Sequence, residues 1–488
     1  MGMAAWNEFL GTVSSFIYSH ILILLLVSAG LYFTFRTRAV QLRMFGHMWA
    51  NIMKSRSVEG EGISSFQAFA IGIASRVGTG NIMGVALALI LGGPGAVFWM
   101  WVIALIGMAT AFVEASLAQM FKIRATDGTF RGGPAYYISR GLGSRRWGLV
   151  FACCLIFTFG FSYNLVQAKT ISGVLQSTFQ LPAGLTALGL VLLCAPIIFG
   201  GIKRIARAAA IIAPVMALAY VALALLIIIL NYRELPRVFA LIFSTAFEPL
   251  AVGGGLVGGL SAAVLNGAKR GLYSNEAGMG SAPNAAATAT VAHPVQQGLI
   301  QSMGVFVDTI LICSATAFIC IISGVYQPGK TAEALAPVLT QQSIAAQLGA
   351  WTKIPVALII FVFAYSSILG NYSYAEVNLD FIRGVGKNNL PLRLLAVFAV
   401  GLGAVLDMGF VINLADLSQA AMAIINLVAL FLMGGWAVAA LRDYERQWAK
   451  IRRGESHVLH FRGIKNPDLP KDLPESVWVE DYGVVPRA

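Results

Sequence analysis

Eleven apolar runs, most of them long enough to cross a lipid bilayer, constrain this 488-residue chain more than any other feature. They fall near residues 17–35, 64–91, 94–121, 147–177, 184–200, 206–230, 254–292, 295–322, 353–382, 391–412 and 415–440. About 20 apolar residues suffice for one helical crossing. The run at 184–200 is short, and the one at 254–292 is too long and too rich in glycine for a single straight helix. Only 11% of the residues are charged and the mean hydropathy is +0.76, where a soluble domain carries about 25% charged residues. The expected fold class is therefore an all-α polytopic membrane protein.

The formal charge of +12 reports on orientation. Lys and Arg gather in alternate connections: Arg36 to Arg56, Lys122 to Arg146, Lys203 to Arg207, Arg383 to Arg393, and the tail beyond Leu441. The opposite side has Arg233, Arg237, Lys330 and Lys353. The excess of positive charge marks the cytoplasmic side, so the N-terminus is expected outside and the C-terminus in the cytoplasm of a plasma (inner) membrane. Nucleic-acid binding gains no support. Met1 to Phe16 has no basic leader, so no cleaved signal peptide is expected.

Setting the first run aside, the other ten form two sets of five. The expected organisation is an N-terminal helix and cytoplasmic loop (1–63), a first five-helix repeat (64–231), a second (254–440), and a cytoplasmic tail (441–488) read as a helical extension followed by irregular chain. Each set opens on a polar, glycine-rich interruption, Ser75–Asn81 in one and Ser274–Ser281 in the other. Five is odd, so the sets enter the membrane from opposite sides. Inverted repeats with discontinuous leading helices are a signature of secondary transporters, whose sites lie at the break. For the second interruption the competing reading is a cytoplasmic loop bounded by Lys269 and Arg270.

Hydrocarbon tolerates non-helical backbone only where protein or a water-lined cavity covers it, so an interrupted helix presents its free groups to an interior site. Thr79, Gly80 and Asn81 open the second half of the first broken helix, where N–H groups and the helix dipole attract a carboxylate. The Ala74 and Val77 carbonyls close the first half and suit a cation. An amino-acid zwitterion needs both. Ser366 and Ser367 lie together in an apolar helix, with Asn371 one turn on, and offer hard oxygen ligands suited to Na+. The competing reading bonds such serines to their own helix. Asn164 and Gln167 share a helix face and point either at substrate or at a neighbouring helix. Glu114 and Lys169 are expected near an interface, and Asp308 is expected to make a structural polar contact, with ion coupling as the lesser alternative.

Signals of soluble enzymes are absent: the five histidines are scattered, and neither HExxH nor a Walker motif occurs. The chain is not expected to be an enzyme, to carry an organic cofactor or to include an ATPase subunit. Its five cysteines lie in apolar runs without metal-ligand spacing and are expected to be buried.

The motifs Arg76-Val-Gly-Thr-Gly-Asn-Ile82, Gly92-Gly-Pro-Gly-Ala-Val-Phe-Trp-Met-Trp101, Gly132-Gly-Pro-Ala-Tyr-Tyr137, Ser274-Asn-Glu-Ala-Gly-Met-Gly-Ser281 and His293-Pro-Val-Gln-Gln-Gly298 resemble those of the alanine or glycine:cation symporter family, the sodium:alanine symporters. The resemblance covers roughly residues 10–445. It implies the leucine-transporter-like 5+5 inverted-repeat fold with one extra N-terminal helix, eleven transmembrane helices in all, and Na+-coupled symport of small neutral amino acids. It places the substrate carboxylate on Thr79, Gly80 and Asn81, lines the pocket with Gln167, Tyr273 and Ser274, and holds Na+ with Ala74, Val77, Ser366 and Ser367. This chain has Asn371 where many members carry tryptophan, and Ser367 where they carry threonine. The missing ring implies a roomier, more polar pocket that also admits serine and other polar substrates. The alternative from the residues alone is a cation or small-solute channel with glycine-rich filters. Channels usually repeat one filter around an axis, and these two breaks differ in sequence.

Overall fold

The computed structural model describes residues 3–54, 63–125, 128–200, 202–247, 262–456, 458–474 and 477–478. Its main helices are α1 (Ala5–Arg36), the broken α2 (Ser65–Arg76 and Gly80–Gly92), α3 (Gly95–Met120), α4 (Arg145–Phe179), α5 (Ala183–Ile198) and α6 (Ile202–Leu230). There follow a broken α7 (Ala262–Asn275 and Ala282–Thr288), α8 (Pro294–Ile322), α9 (Lys353–Arg383), α10 (Leu390–Val405) and α11 (Met408–Arg452). Among the described residues six helices are long and apolar enough to cross a membrane. The halves of α2 pass the same test together with a bend of 48°. The protein is an all-α membrane protein of leucine-transporter-like fold, each five-helix set opening on a broken helix. Residues 254–261 of the expected run at 254–292 lie outside the described residues.

Local sequence sets the helix entries. Ser64 caps α2 through a capping box, its hydroxyl accepting from Gln67 N (3.1 Å) while Gln67 Oε1 accepts from Ser64 N (2.9 Å). His293 and Gln296 make the same device at α8. The chain before α2 meets the chain after α7, with Thr290 N donating to Ile63 O at 3.0 Å. The entry of the first set is thus tied to the broken helix of the second. Helix α3 packs on both α7 and α8, and α9 packs on α2, α4 and α6, so the two breaks face each other across the centre.

Several expectations are corrected. Further helices outside the apolar runs fold in the connections, among them Phe45–Lys54, Pro134–Gly141, Tyr232–Thr245, bent 79° from the end of α6, and Ala336–Leu348. Their polar and proline residues masked them in a hydropathy reading. Lys269 and Arg270 mark no boundary: both are buried, Arg270 paired with Asp416 of α11 and Lys269 near Ser14, Ser15 and the Tyr18 ring. The last helix runs on to Arg452, and the chain beyond it packs on the body. Phe461 stacks edge-on against His293, and the Trp478 indole donates to Gln119 O (2.7 Å). Cys153 is exposed and Cys154 half-buried, while Cys194, Cys313 and Cys320 are buried as expected.

Candidate functional site

The first break follows from composition. Helix α2 stops at Arg76, Val77 leaves helical geometry (φ −77°, ψ 87°), and the chain re-enters as a π-turn at Gly80. Gly78 N donates to Asn81 Oδ1 (3.0 Å), a side chain standing in for the interrupted ladder. A Cβ at Gly78 would lie 2.0 Å from Ser367 Oγ, and one at Gly370 2.9 Å from the Ser75 backbone. These two glycines let α9 lie flush on the break.

Around this break the structure brings nearly all the expected residues together. Ser367 Oγ donates to Ala74 O at 3.0 Å, and Ser366 Oγ lies 3.5 Å from the same carbonyl. Both hydroxyls also reach Phe363 O of their own helix (2.9 and 3.1 Å), as the competing reading of these serines expects. Thr79 N donates to Gln167 Oε1 over a long 3.4 Å, and Thr79 Oγ1 meets Tyr273 OH at 3.3 Å. A Cβ at Gly80 would stand 3.1 Å from the Tyr273 ring and the Ser274 Cα. Asn81 Nδ2 donates to Ser274 Oγ (3.0 Å). Asn371 Nδ2 donates to Asn164 Oδ1 (3.1 Å), while the Ser75 hydroxyl lies 3.1 Å from Asn371 Oδ1. Thr79, Asn81, Ser274, Ser366, Ser367 and Asn371 are each at most 1% exposed, so the site is closed. Val77 is buried beside them, and its N–H still reaches Ile73 O (2.7 Å).

The set offers two chemistries side by side. A carbonyl with two hydroxyls is a hard-oxygen environment that fits Na+. A helix start with a weakly held N–H, flanked by a phenol and a hydroxyl, fits a carboxylate.

The second break lies at Glu276–Ser281, later than the sequence boundary suggests, because Tyr273, Ser274 and Asn275 remain in the last helical turn. It is no cytoplasmic loop, since the whole stretch is buried. Glu276, Gly278 and Gly280 all have positive φ (58°, 86° and 85°). Glu114, expected near an interface, is instead buried against this break. Its carboxylate accepts from Gly278 N and Gly280 N (3.0 Å each) and from Asn426 Nδ2 (2.5 Å). Glu276 ties the breaks together, accepting from Ser75 (3.0 Å) and Ser281 (2.7 Å). Lys169 is half-buried.

Sequence reasoning left Ser75, Gly78, Glu114 and Glu276 without roles. Glu276 stood in the polar run and Gly78 in the glycine cluster, whereas Glu114 carried only the general signal of a lone intramembrane charge.

Comparison with known proteins gives a consistent picture. The family model described as the sodium:alanine symporter family matches residues 3–458. The probable sodium/glutamine symporter GlnT of Bacillus subtilis is 44% identical, the alignment covering 94% of this chain and 94% of that protein. The sodium/alanine symporter AgcS of Methanococcus maripaludis is 36% identical over 91% of this chain and 98% of its own. Among solved structures, a variant of the Eremococcus coleocola manganese transporter aligns with a TM-score of 0.51 at 15% identity, covering 82% of this chain and 91% of that one. At that identity the likeness concerns the fold alone.

Proposed function

Because the chain belongs to the sodium:alanine symporter family, we propose that it imports small neutral amino acids, polar ones such as serine as well as alanine and glycine, together with Na+ by alternating access. Na+-coupled amino-acid symport is the family's activity. The observation that carries the finer reading is the first break itself. The Ala74 carbonyl meets the Ser366 and Ser367 hydroxyls at one end, and Thr79 to Asn81 face Tyr273 and Ser274 at the other.

Na+ binds between α2 and α9 through Ala74, Val77, Ser366 and Ser367, and its charge favours the zwitterion's carboxylate nearby. The carboxylate takes the Thr79 N–H from Gln167, whose 3.4 Å contact is readily exchanged, and is flanked by Gly80 and Asn81. The side chain extends towards Asn164 and Asn371, a pair of amides that can hydrogen-bond a polar group. The relative named as a probable sodium/glutamine symporter supports a pocket that admits polar side chains. The sets 64–231 and 254–440 rock about this centre, with the N-terminus outside and the tail in the cytoplasm, as the Lys and Arg distribution supports.

The test is uptake of labelled alanine into proteoliposomes with and without an inward Na+ gradient, competed by a panel of neutral amino acids. Saturable, gradient-dependent uptake that serine inhibits is expected. Uptake indifferent to Na+ overturns the reading.

A further inference from the structure

Away from the transport site, the chain does something unusual where its first span ends. Helix α1 stops at Arg36, and two residues with positive φ, Arg38 (55°) and Ala39 (53°), turn the chain sharply. A connecting helix follows at once in two pieces, Val40–Arg43 and Phe45–Lys54, with Met44 between them. It hangs on the end of α1. Arg43 Nη2 donates to Thr37 O (3.2 Å), and Gln41 Nε2 donates to Thr34 Oγ1 (2.8 Å). With 4 and 10 residues in its pieces, it is too short to cross a bilayer.

Helical spacing sorts its side chains into three stripes. Val40, Met44, Met48 and Ile52 are buried, and the helix packs on α8. Arg43, His47 and Asn51 form a polar stripe that meets the end of α11: Arg43 pairs with Glu445 (2.5 Å), and His47 Nε2 lies 2.7 Å from Tyr444 OH. Leu42, Phe45, Trp49 and Met53 form the third stripe and are 38–68% exposed. At 3.6 residues per turn this apolar stripe lies roughly opposite the polar one. The charge around it has one sign. No Asp or Glu occurs between Leu31 and Val58, whereas Arg36, Arg38, Arg43, Lys54 and Arg56 do, and Arg36 and Arg38 are exposed.

A helix with an apolar face, a polar face and flanking basic residues suits the boundary between headgroups and acyl chains, and an indole such as that of Trp49 is at home there. The level matches, because the helix begins just past Arg36, where the apolar span of α1 ends. We propose that the helix over 40–54 is a membrane-surface element that docks on anionic phospholipid. The stripe of Leu42, Phe45, Trp49 and Met53 enters the acyl boundary, and Arg36 and Arg38 take the lipid phosphates. In the orientation proposed above this is the cytoplasmic leaflet. Because the buried stripe rests on α8 and the polar stripe on α11, the docked helix braces both against the lipid surface.

The experiment attaches an environment-sensitive dye at Met53→Cys in the full-length chain, with Cys153→Ser and Cys154→Ser removing the accessible thiols. The protein sits in nanodiscs of equal parts phosphatidylglycerol and phosphatidylcholine, alike on both faces, so the outcome does not depend on orientation. Contact quenching is read with nitroxide-bearing phosphatidylglycerol, with nitroxide-bearing phosphatidylcholine, and with a nitroxide confined to water. The lipid nitroxides are expected to quench and the aqueous one is not, with phosphatidylglycerol about twofold or more stronger at low salt. That preference should vanish in roughly 1 M KCl and shrink in Arg36→Gln/Arg38→Asn, since asparagine tolerates the left-handed backbone at 38. Quenching from water alone would put the stripe in solvent, and no quenching at all would put it under protein. Equal quenching by the two lipids, or a preference unchanged in the arginine variant, would remove the anionic headgroup from its arginines. Each of these results overturns the proposal.

Discussion

The two helix breaks solve one problem in opposite ways. At Glu276–Ser281 three residues with positive φ turn the chain, and the Glu114 carboxylate takes the N–H groups of Gly278 and Gly280. Charge-assisted bonds of this kind are roughly twice as strong as neutral ones, so those donors are committed. At the first break Gly78 N and Thr79 N are held by neutral side-chain amides, Asn81 and Gln167, the latter at 3.4 Å. Those donors can be exchanged for a ligand at little cost. One break has its N–H groups taken by the protein's own carboxyl group, and the other holds them through neutral side-chain amides.

The largest effect should come from removing the anchor of the closed break. Glu114→Leu leaves two buried N–H groups without acceptors and should cost on the order of 3 kcal/mol or more. It should be read as a lowered unfolding temperature in detergent, with Glu114→Gln in between. If Glu114→Leu melts with wild type, the second break is not held by its carboxylate and the contrast collapses.

Gly78→Ala acts on the open break. The added methyl falls on Ser367 Oγ and must turn that hydroxyl away from Ala74 O. The expected outcome is a rise of about tenfold in the Na+ concentration for half-maximal uptake, equivalent to about 1.4 kcal/mol, in a protein that still folds. An unchanged Na+ dependence removes Ser367 from the ion site.

Asn371→Trp sharpens the comparison on the substrate side. It removes the amide that meets Asn164 and should weaken serine and larger polar competitors by up to about tenfold relative to alanine, because unmade hydrogen bonds discriminate more than missing methylenes. The same rank order of competitors in both proteins would show that Asn371 does not line the pocket. Gln167→Leu should have the smallest effect. Its long contact with Thr79 N is worth about 0.5 kcal/mol, so substrate affinity should shift about twofold, measured by equilibrium binding. A large loss would mean that Gln167 contacts substrate directly.

The legibility of these elements follows how local their causes are. Arg76 to Asn81 broke the helix where the sequence placed the break, since glycines and competing side chains weaken a helix from within. Ser367 and Asn371 shared a face as their spacing required, and Asn164 and Gln167 likewise. The edge of the second break was misplaced because Tyr273, Ser274 and Asn275 are neither glycine nor proline, and tertiary packing keeps them helical.

Sequence by itself therefore determined the membrane class, the two sets of helices and where the first leading helix fails, all consequences of apolar length and backbone propensity within a few residues. Tertiary structure decided what each buried polar group does. Glu114 became the anchor of a break 164 residues away, Arg270 found Asp416 rather than water, and Asp308 came to rest against Asn81 and Ser274. The physical reason is that a buried charge or amide is settled by whichever partner reaches it first-hand in space, and in a bundle of crossing helices that partner is set by packing and not by neighbours along the chain.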